Sequence, residues 1–234
     1  MEKNLASGSD LGGDDDRIYA SYAEMAQQEA ARADGIDFVV IVTPNHLHFS
    51  AAKAFLEHGI HVVCDKPLTV SSAGGIALKR LATEHDCLFM VTYTYAGHAM
   101  VREARRIVTG GEIGEVTMVM AEYASDWLLG APKKQGYKQA IWHTDPKLTG
   151  ISNCVGDIGT HVENLVSFIT GLKIEKRIAN LDAMFTRTLK RKKAREKVDE
   201  RAAGYATLND GIEGVIFVEK CVESKRAGNV WTAM

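Results

Sequence analysis

Hydrophobic spacing along the chain alternates between a helical and a strand-like period. Ser21-Tyr-Ala-Glu24 opens a helix, because the Ser21 hydroxyl can accept from the third helical amide while Glu24 accepts from the Ser21 amide. That helix is expected to run to about Ala33 and close at Gly35. Asp37 to Thr43 is a continuous β-branched and aromatic run, which predicts a strand buried on both faces, as in parallel sheets. Asn45 then caps a helix with Ala51, Ala52, Phe55 and Leu56 at helical spacing, stopped by Gly59. Ile60 to Cys64 returns as a strand, Ser71 or Ser72 opens a helix carrying Leu78 and Leu81, and Cys87 to Thr92 is a third buried strand. The order βαβαβ implies right-handed crossovers and a parallel sheet.

After Tyr95 the pattern changes. Ala99 to Thr109 reads as a helix ended by Gly110 and Gly111, and Glu115 to Ala124 alternates as a half-buried strand. Asp126 to Val155 is irregular. Asp157 to Thr170 is a helix with Ile158, Val162, Leu165 and Ile169 on its apolar face and Gly171 as its stop. Strand-like segments follow at Arg177 to Phe185, Gly204 to Leu208 and Gly214 to Val222, the last two flanking Asn209-Asp210-Gly211, which predicts a hairpin. The expected fold is α/β, a partial Rossmann-like parallel sheet over residues 1–95. An α+β domain with a mainly antiparallel sheet follows over 96–234.

Composition narrows the function classes. The 234 residues, 46% hydrophobic and 25% charged, suit a soluble globular protein of one to two domains at ~150 residues each. Apolar runs such as Phe38 to Val42 and Leu88 to Val91 fall far short of the ~20 residues of a spanning helix. Met1 to Asp16 carries acids and no apolar signal core, so a cytoplasmic location without membrane contact is expected. Lys and Arg total 28 against 30 acids, a net charge of −2 that gives no global pull on nucleic acid. A local basic run does exist, with eleven Lys or Arg against five acids in Lys173 to Arg201 around Lys190-Arg191-Lys192-Lys193. It lacks interleaved aromatics after Phe185, so a solvated loop is favoured over a nucleic-acid partner. Cys64, Cys87, Cys154 and Cys221 are too scattered for zinc and read as reduced structural thiols, and no metal site is expected.

Ligands of open α/β sheets collect beyond the carboxyl ends of the strands. Three loops qualify: Thr43-Pro44-Asn45-His46-Leu47-His48, Asp65-Lys66-Pro67 and Thr92-Tyr93-Thr94-Tyr95. Plain helix capping by Asn45 and a plain turn at Lys66-Pro67 remain open alternatives, and nothing in the spacing favours a cis bond there, cis being ~5–6% of X-Pro bonds. Asp157 and His161, four apart, share a helix face away from the apolar stripe. A histidine near neutrality can exchange a proton with a hydroxyl while a carboxylate orients it, although surface pairs have the same spacing.

In combination these residues resemble the Gfo/Idh/MocA oxidoreductases, the group of glucose-fructose oxidoreductase and inositol dehydrogenase. The resemblance is carried by Val39-Val-Ile-Val-Thr-Pro-Asn45 with His48, by Cys64-Asp-Lys-Pro67, by Gly110-Gly-Glu-Ile-Gly114 and by Gly156-Asp-Ile-Gly-Thr-His161. It implies hydride transfer between NAD or NADP and a sugar, polyol or related hydroxyl or carbonyl substrate. Lys66 would polarise the reacting oxygen, His161 would be the general acid/base and Asp157 would orient the substrate. Thr43, Pro44, Asn45, His48, Asp65 and Lys66 would line the nicotinamide half of the cofactor site. Trp142 matches a Trp-Arg pair of many relatives, but His143 follows it here, which weakens a cofactor contact at that position. Asp65 stands where the family has Glu, keeping the carboxylate on a shorter arm.

A dinucleotide fold also needs a first strand and a G-x-G-x-x-G turn, and Gly8, Gly12 and Gly13 do not have that spacing. The cofactor site is therefore expected to be incomplete, with truncation at the N-terminus and, since Val230 to Met234 reads as a strand, at the C-terminus. The strand at Asp37 is then expected to leave an open edge and an exposed apolar surface. The alternative function is a catalytically inactive fragment or an assembly protein using the C-terminal sheet. Homo-oligomerisation through that antiparallel sheet is expected in either case.

Overall fold

The computed structural model describes residues 15–124, 143, 145–151, 155–178, 186–190 and 206–233. Helix α1 (Tyr22–Ala31) begins on Ser21, whose hydroxyl accepts from Glu24 N, but the Glu24 carboxylate accepts from Ala20 N rather than Ser21 N. The helix ends sooner than expected because Arg32 is already extended. Gly35 then passes so close to the Glu29 carbonyl that a Cβ would lie 2.1 Å from it.

Strand β1 (Phe38–Ile41), helix α2 (Asn45–Leu56), strand β2 (His61–Cys64), helix α3 (Ser72–Glu84) and strand β3 (Phe89–Val91) follow in the expected βαβαβ order. Both strand pairs are parallel, with Val39 opposite Val62 and Val62 opposite Phe89. Ser71 caps α3. Asn45 does not cap α2: the cap position is Pro44, which has no side chain to accept a bond, and Asn45 is the first helical residue. β6 (Ala206–Thr207), from the far end of the chain, joins β3 antiparallel and completes a four-stranded sheet of order β1-β2-β3-β6.

The hairpin expected at Asn209-Asp210-Gly211 is instead the first turn of α6 (Leu208–Arg226). The Thr207 hydroxyl accepts from Asp210 N and the Asp210 carboxylate accepts from Thr207 N, a reciprocal cap that commits the chain to helix, so Gly214 to Val222 is helical too. Turn and helix start draw on the same residue types, which is why the sequence misled. The glycines serve close packing. A Cβ on Gly211 would stand 2.9 Å from Val91 Cγ2, and one on Gly214 would stand 2.2 Å from the Tyr93 hydroxyl. α6 thereby joins Val39, Ile41, Val62, Phe55, Leu56 and Leu78 in one core through Leu208, Ile212 and Val215.

Only one face of the sheet is buried. Val39, Ile41, Val62, Cys64, Phe89 and Val91 face this core, whereas Phe38, Val40 and Leu88 on the opposite face are 54%, 52% and 66% exposed. Burial on both faces does not occur among the described residues, because α2, α3 and α6 all contribute to the same core. Among the described residues β1 is an edge strand.

Helix α4 (Ala99–Thr109) ends at Gly110 as expected. Glu115 to Ala124 pairs with no strand among the described residues and is largely exposed, Met118 and Met120 included. A π-helical turn (Val155–Gly159) leads into α5 (Thr160–Thr170), which stops at Gly171 in the left-handed conformation. α5 buries mainly polar residues, Thr160, His161, Glu163, Asn164 and Ser167, beside Val166, while Ile158, Val162, Leu165 and Ile169 are only half-buried. β4 (Lys173–Ile178), β5 (Thr186–Lys190) and β7 (Thr232–Ala233) form an antiparallel sheet of order β5-β4-β7. Residues 179–185, 191–205 and Cys154 lie outside the described residues; Cys64, Cys87 and Cys221 form no disulfide. Among the described residues no helix is long and apolar enough to cross a membrane.

Candidate active site

The carboxyl ends of β1 and β2 meet the π-helical turn around a cavity of about 280 Å³. Its wall holds Thr43, Pro44 and Asn45 from the first loop and Asp65, Lys66 and Pro67 from the second. His143, Thr149, Gly156 and Asp157 close it from the second half of the chain. Each strand fixes its loop because its last residues, Ile41 and Cys64, are locked in parallel register.

Lys66 is the centre of the arrangement. Its ammonium donates to the Asp157 carboxylate Oδ1 at 2.5 Å and to the Asp157 backbone carbonyl at 2.7 Å, with both side chains mostly buried. An ammonium has three protons, so one donor remains for a ligand. The Lys66-Pro67 bond is cis. Asp65 holds the loop, accepting from Lys66 N and from the Thr92 hydroxyl at 2.7 Å, which ties the second loop to the third. Asn45 Nδ2 donates to the Thr149 carbonyl at 3.1 Å and pins the far wall.

His48 lies behind the cavity rather than in its wall. It is fully buried, with Nδ1 2.8 Å from the Pro67 carbonyl and Nε2 2.8 Å from the Thr43 carbonyl, so it clasps the first loop to the second. Trp142 lies outside the described residues.

His161 is 7% exposed and not part of the cavity wall. Tyr95 packs against its ring at 4.5 Å and Tyr93 meets it edge-on at 5.7 Å. Its Nδ1 is buried and has no hydrogen-bond partner among the described residues. Desolvation, reinforced by the Lys66 charge, pushes its pKa down to about 4 against the pull of Asp157 and Asp65. The imidazole is therefore neutral at neutral pH. Asp157 sits in the π-helical turn before α5 begins and gives Oδ1 to Lys66, while its charge pulls the His161 pKa upward. Burial also lowers the pKa of His143, with Asp157 opposing and Lys66 adding to the shift.

Sequence reasoning passed over Thr149 and gave Thr92 and Tyr95 no role. Thr92 and Tyr95 could have been found as members of the third loop, whereas Thr149 carries no local signal at all. No cluster of metal-ligating side chains occurs among the described residues. For a nicotinamide cofactor, a buried His161 Nδ1 that is unpartnered among the described residues and feels the Lys66 charge is a fit on the reactive side. The sequence contains no G-x-G-x-x-G turn for a pyrophosphate.

A parallel sheet with polar loops gathered at its carboxyl ends defines a Rossmann-like protein. Residues 13–93 match the model of the oxidoreductase family with NAD-binding Rossmann fold, and residues 101–231 match the GFO/IDH/MocA C-terminal domain. The chain belongs to the Gfo/Idh/MocA oxidoreductase family. It is 36% identical over 160 residues to the uncharacterized oxidoreductase YfiI of Bacillus subtilis (strain 168), covering 68% of this chain and 41% of that protein. It is 29% identical over 136 residues to a levoglucosan dehydrogenase of Pseudarthrobacter phenanthrenivorans, covering 58% of this chain and 33% of that one. The chain thus spans less than half the length of these relatives. Among solved structures, an oxidoreductase from Sinorhizobium meliloti superposes with a TM-score of 0.79 at 29% identity, covering 99% of this chain and 89% of that one. An inositol dehydrogenase homolog complexed with NAD+ from Azotobacter vinelandii shares the fold, with a TM-score of 0.83 at 24% identity, covering 100% and 87%.

Proposed function

We propose that this protein takes part in NAD(P)-dependent hydride transfer between nicotinamide and a hydroxyl group of a sugar or polyol. The observation that carries the reading is the Lys66 ammonium, braced on Asp157 at the cavity, whose charge reaches a buried His161 with a ring nitrogen unpartnered among the described residues. Nicotinamide supplies the hydride acceptor. Lys66 offers its remaining proton to the reacting oxygen and stabilises negative charge there. In this reading the hydroxyl proton passes to His161, whose ring lies behind the cavity wall and has to be uncovered for the transfer, as the C–H electron pair leaves the same carbon for the nicotinamide, and it returns in the reverse direction. Thr43, Pro44, Asn45 and Asp65 form the cofactor side of the cavity, and His48 keeps their loops in place. In this reading residues 1–95 serve the cofactor and 96–234 the substrate, with the β5-β4-β7 sheet available for self-association.

Titration of the folded chain with NADH and NADPH, followed by energy transfer from tryptophan and by thermal shift, tests this. Saturable micromolar binding that is lost in Lys66→Ala is expected. A folded chain that binds neither cofactor at millimolar concentration would remove the oxidoreductase reading and leave an assembly protein.

A further inference from the structure

His161 is the acid/base of the proposed reaction, yet it is 7% exposed and stands outside the cavity wall. A file of aromatic rings leads outward from it. The Tyr95 ring lies 4.5 Å from the imidazole and the Tyr123 ring 5.9 Å from Tyr95, centre to centre. The two tyrosine hydroxyls are 2.7 Å apart, one donating to the other. Exposure rises along the file, from buried His161 through half-buried Tyr95 to Tyr123 at 40%. Its inner part is anchored, because Tyr95 belongs to a short 3-10 turn (Thr94–Gly97) and His161 to α5. Tyr123 comes from Glu115 to Ala124, which pairs with no strand among the described residues, and the hydroxyl bond ties it to the inner rings.

Resting on the reading above, we infer that Tyr95 is a positioning residue for His161: its ring covers the imidazole, and its hydroxyl bond to Tyr123 is a latch whose release uncovers His161 for the substrate. A bond between two partly exposed hydroxyls trades against bonds to water, so it favours the covered arrangement by only about two- to tenfold. That is enough to close the site and little enough to open it within a catalytic cycle. Uncovering offers the substrate hydroxyl an acceptor, since His161 Nδ1 has no partner among the described residues. Burial holds the ring unprotonated until then, its pKa pushed down to about 4. The charged groups acting on it are Lys66 and Asp65 from the second loop and Asp157 from the π-helical turn, and the charge of Asp157 reaches Tyr95 as well. Tyr93, the other ring against it, is fully buried and feels Glu163 of α5 and Asp210 and Glu213 of α6. None of these groups is altered when the Tyr123 hydroxyl is removed.

The test is the rate at which diethyl pyrocarbonate modifies His161 in the full chain at pH 7, read by peptide mass spectrometry, with the exposed His58 and His85 as internal standards. Tyr123→Phe keeps the ring and deletes the latch, and is expected to raise the His161 rate about two- to tenfold with an unchanged melting temperature. Tyr95→Phe is expected to do the same, and the double Phe variant to go no further, because both changes remove one bond. In Tyr95→Ala the His161 ring proton, followed by NMR and assigned from its loss in His161→Gln, is expected to titrate closer to the ordinary histidine pKa of about 6.5. An unchanged rate in both Phe variants, rates that multiply in the double variant, or a His161 that stays unmodified throughout while His58 and His85 react would overturn the inference. Cofactor titration of the unaltered chain reports separately on the oxidoreductase reading. NADH binding with unchanged rates removes the latch alone, whereas raised rates without NADH binding remove the reaction and leave the latch.

Discussion

On one face of the four-stranded sheet Val39, Val62 and Phe89 lie in register in the core built by α2, α3 and α6; on the other, Phe38, Val40 and Leu88 turn outward, more than half exposed. The side chains of the two faces are alike, and their burial is not. A β-branched run records that a strand is suited to burial, whereas the helices decide which face receives it. Helix α5 teaches the same in reverse, since it buries Thr160, His161 and Asn164 and leaves its apolar stripe half-buried.

The comparison breaks most clearly if the packed face proves soft. Phe55→Ala, deep in that core, is expected to cost about 3–5 kcal/mol in urea unfolding through lost contacts and a cavity. Next comes the polar burial beside the core. The folded state keeps His161 neutral down to about pH 4, whereas an unfolded histidine takes a proton near its ordinary pKa. This contribution is fully present above the unfolded pKa and is lost as the pH falls through that value towards 4, by up to roughly 3 kcal/mol. Unfolding curves between pH 7 and 4 should show that loss, and His161→Gln should flatten it.

Gly214→Ala sharpens the account of how α6 reaches the sheet. Alanine normally favours a helix by about 1 kcal/mol, but here its methyl would collide with the Tyr93 hydroxyl, and a net loss of about 1–3 kcal/mol is expected. Tyr93→Phe in the same chain should recover much of it, and a double-mutant cycle by urea unfolding measures the coupling. The smallest effect belongs to the bare face. Phe38→Ser should change stability by less than about 0.5 kcal/mol while reducing self-association in light scattering. A cost comparable to Phe55→Ala would mean that the outward face is covered in solution.

Much of the fold could be read locally. Ser21 and Ser71 begin helices, Gly59 and Gly171 end them in positive-φ conformations, and the three apolar runs became β1, β2 and β3. Asn209-Asp210-Gly211 could not, because asparagine, aspartate and glycine suit a turn and a helix start equally until Thr207 and Asp210 close their reciprocal cap. Glu115 to Ala124 has strand alternation but no neighbouring strand among the described residues to pair with. In the site, Lys66 and Asp157 stood out by motif, while the reach from Asn45 to the Thr149 carbonyl spans 104 positions and leaves no trace in either neighbourhood.

The sequence by itself determined the βαβαβ order and the three polar loops, because periodicity, capping and side-chain type are local properties, and its motifs singled out Lys66, Asp157 and His161 as candidates. Only the tertiary structure decided that Asp157 braces Lys66, that His48 clasps two loops from behind and that His143 enters the cavity wall. It also decided which sheet face is covered. These outcomes depend on which distant segments meet, and contacts across ninety residues or more are fixed by packing rather than by any neighbour in the chain.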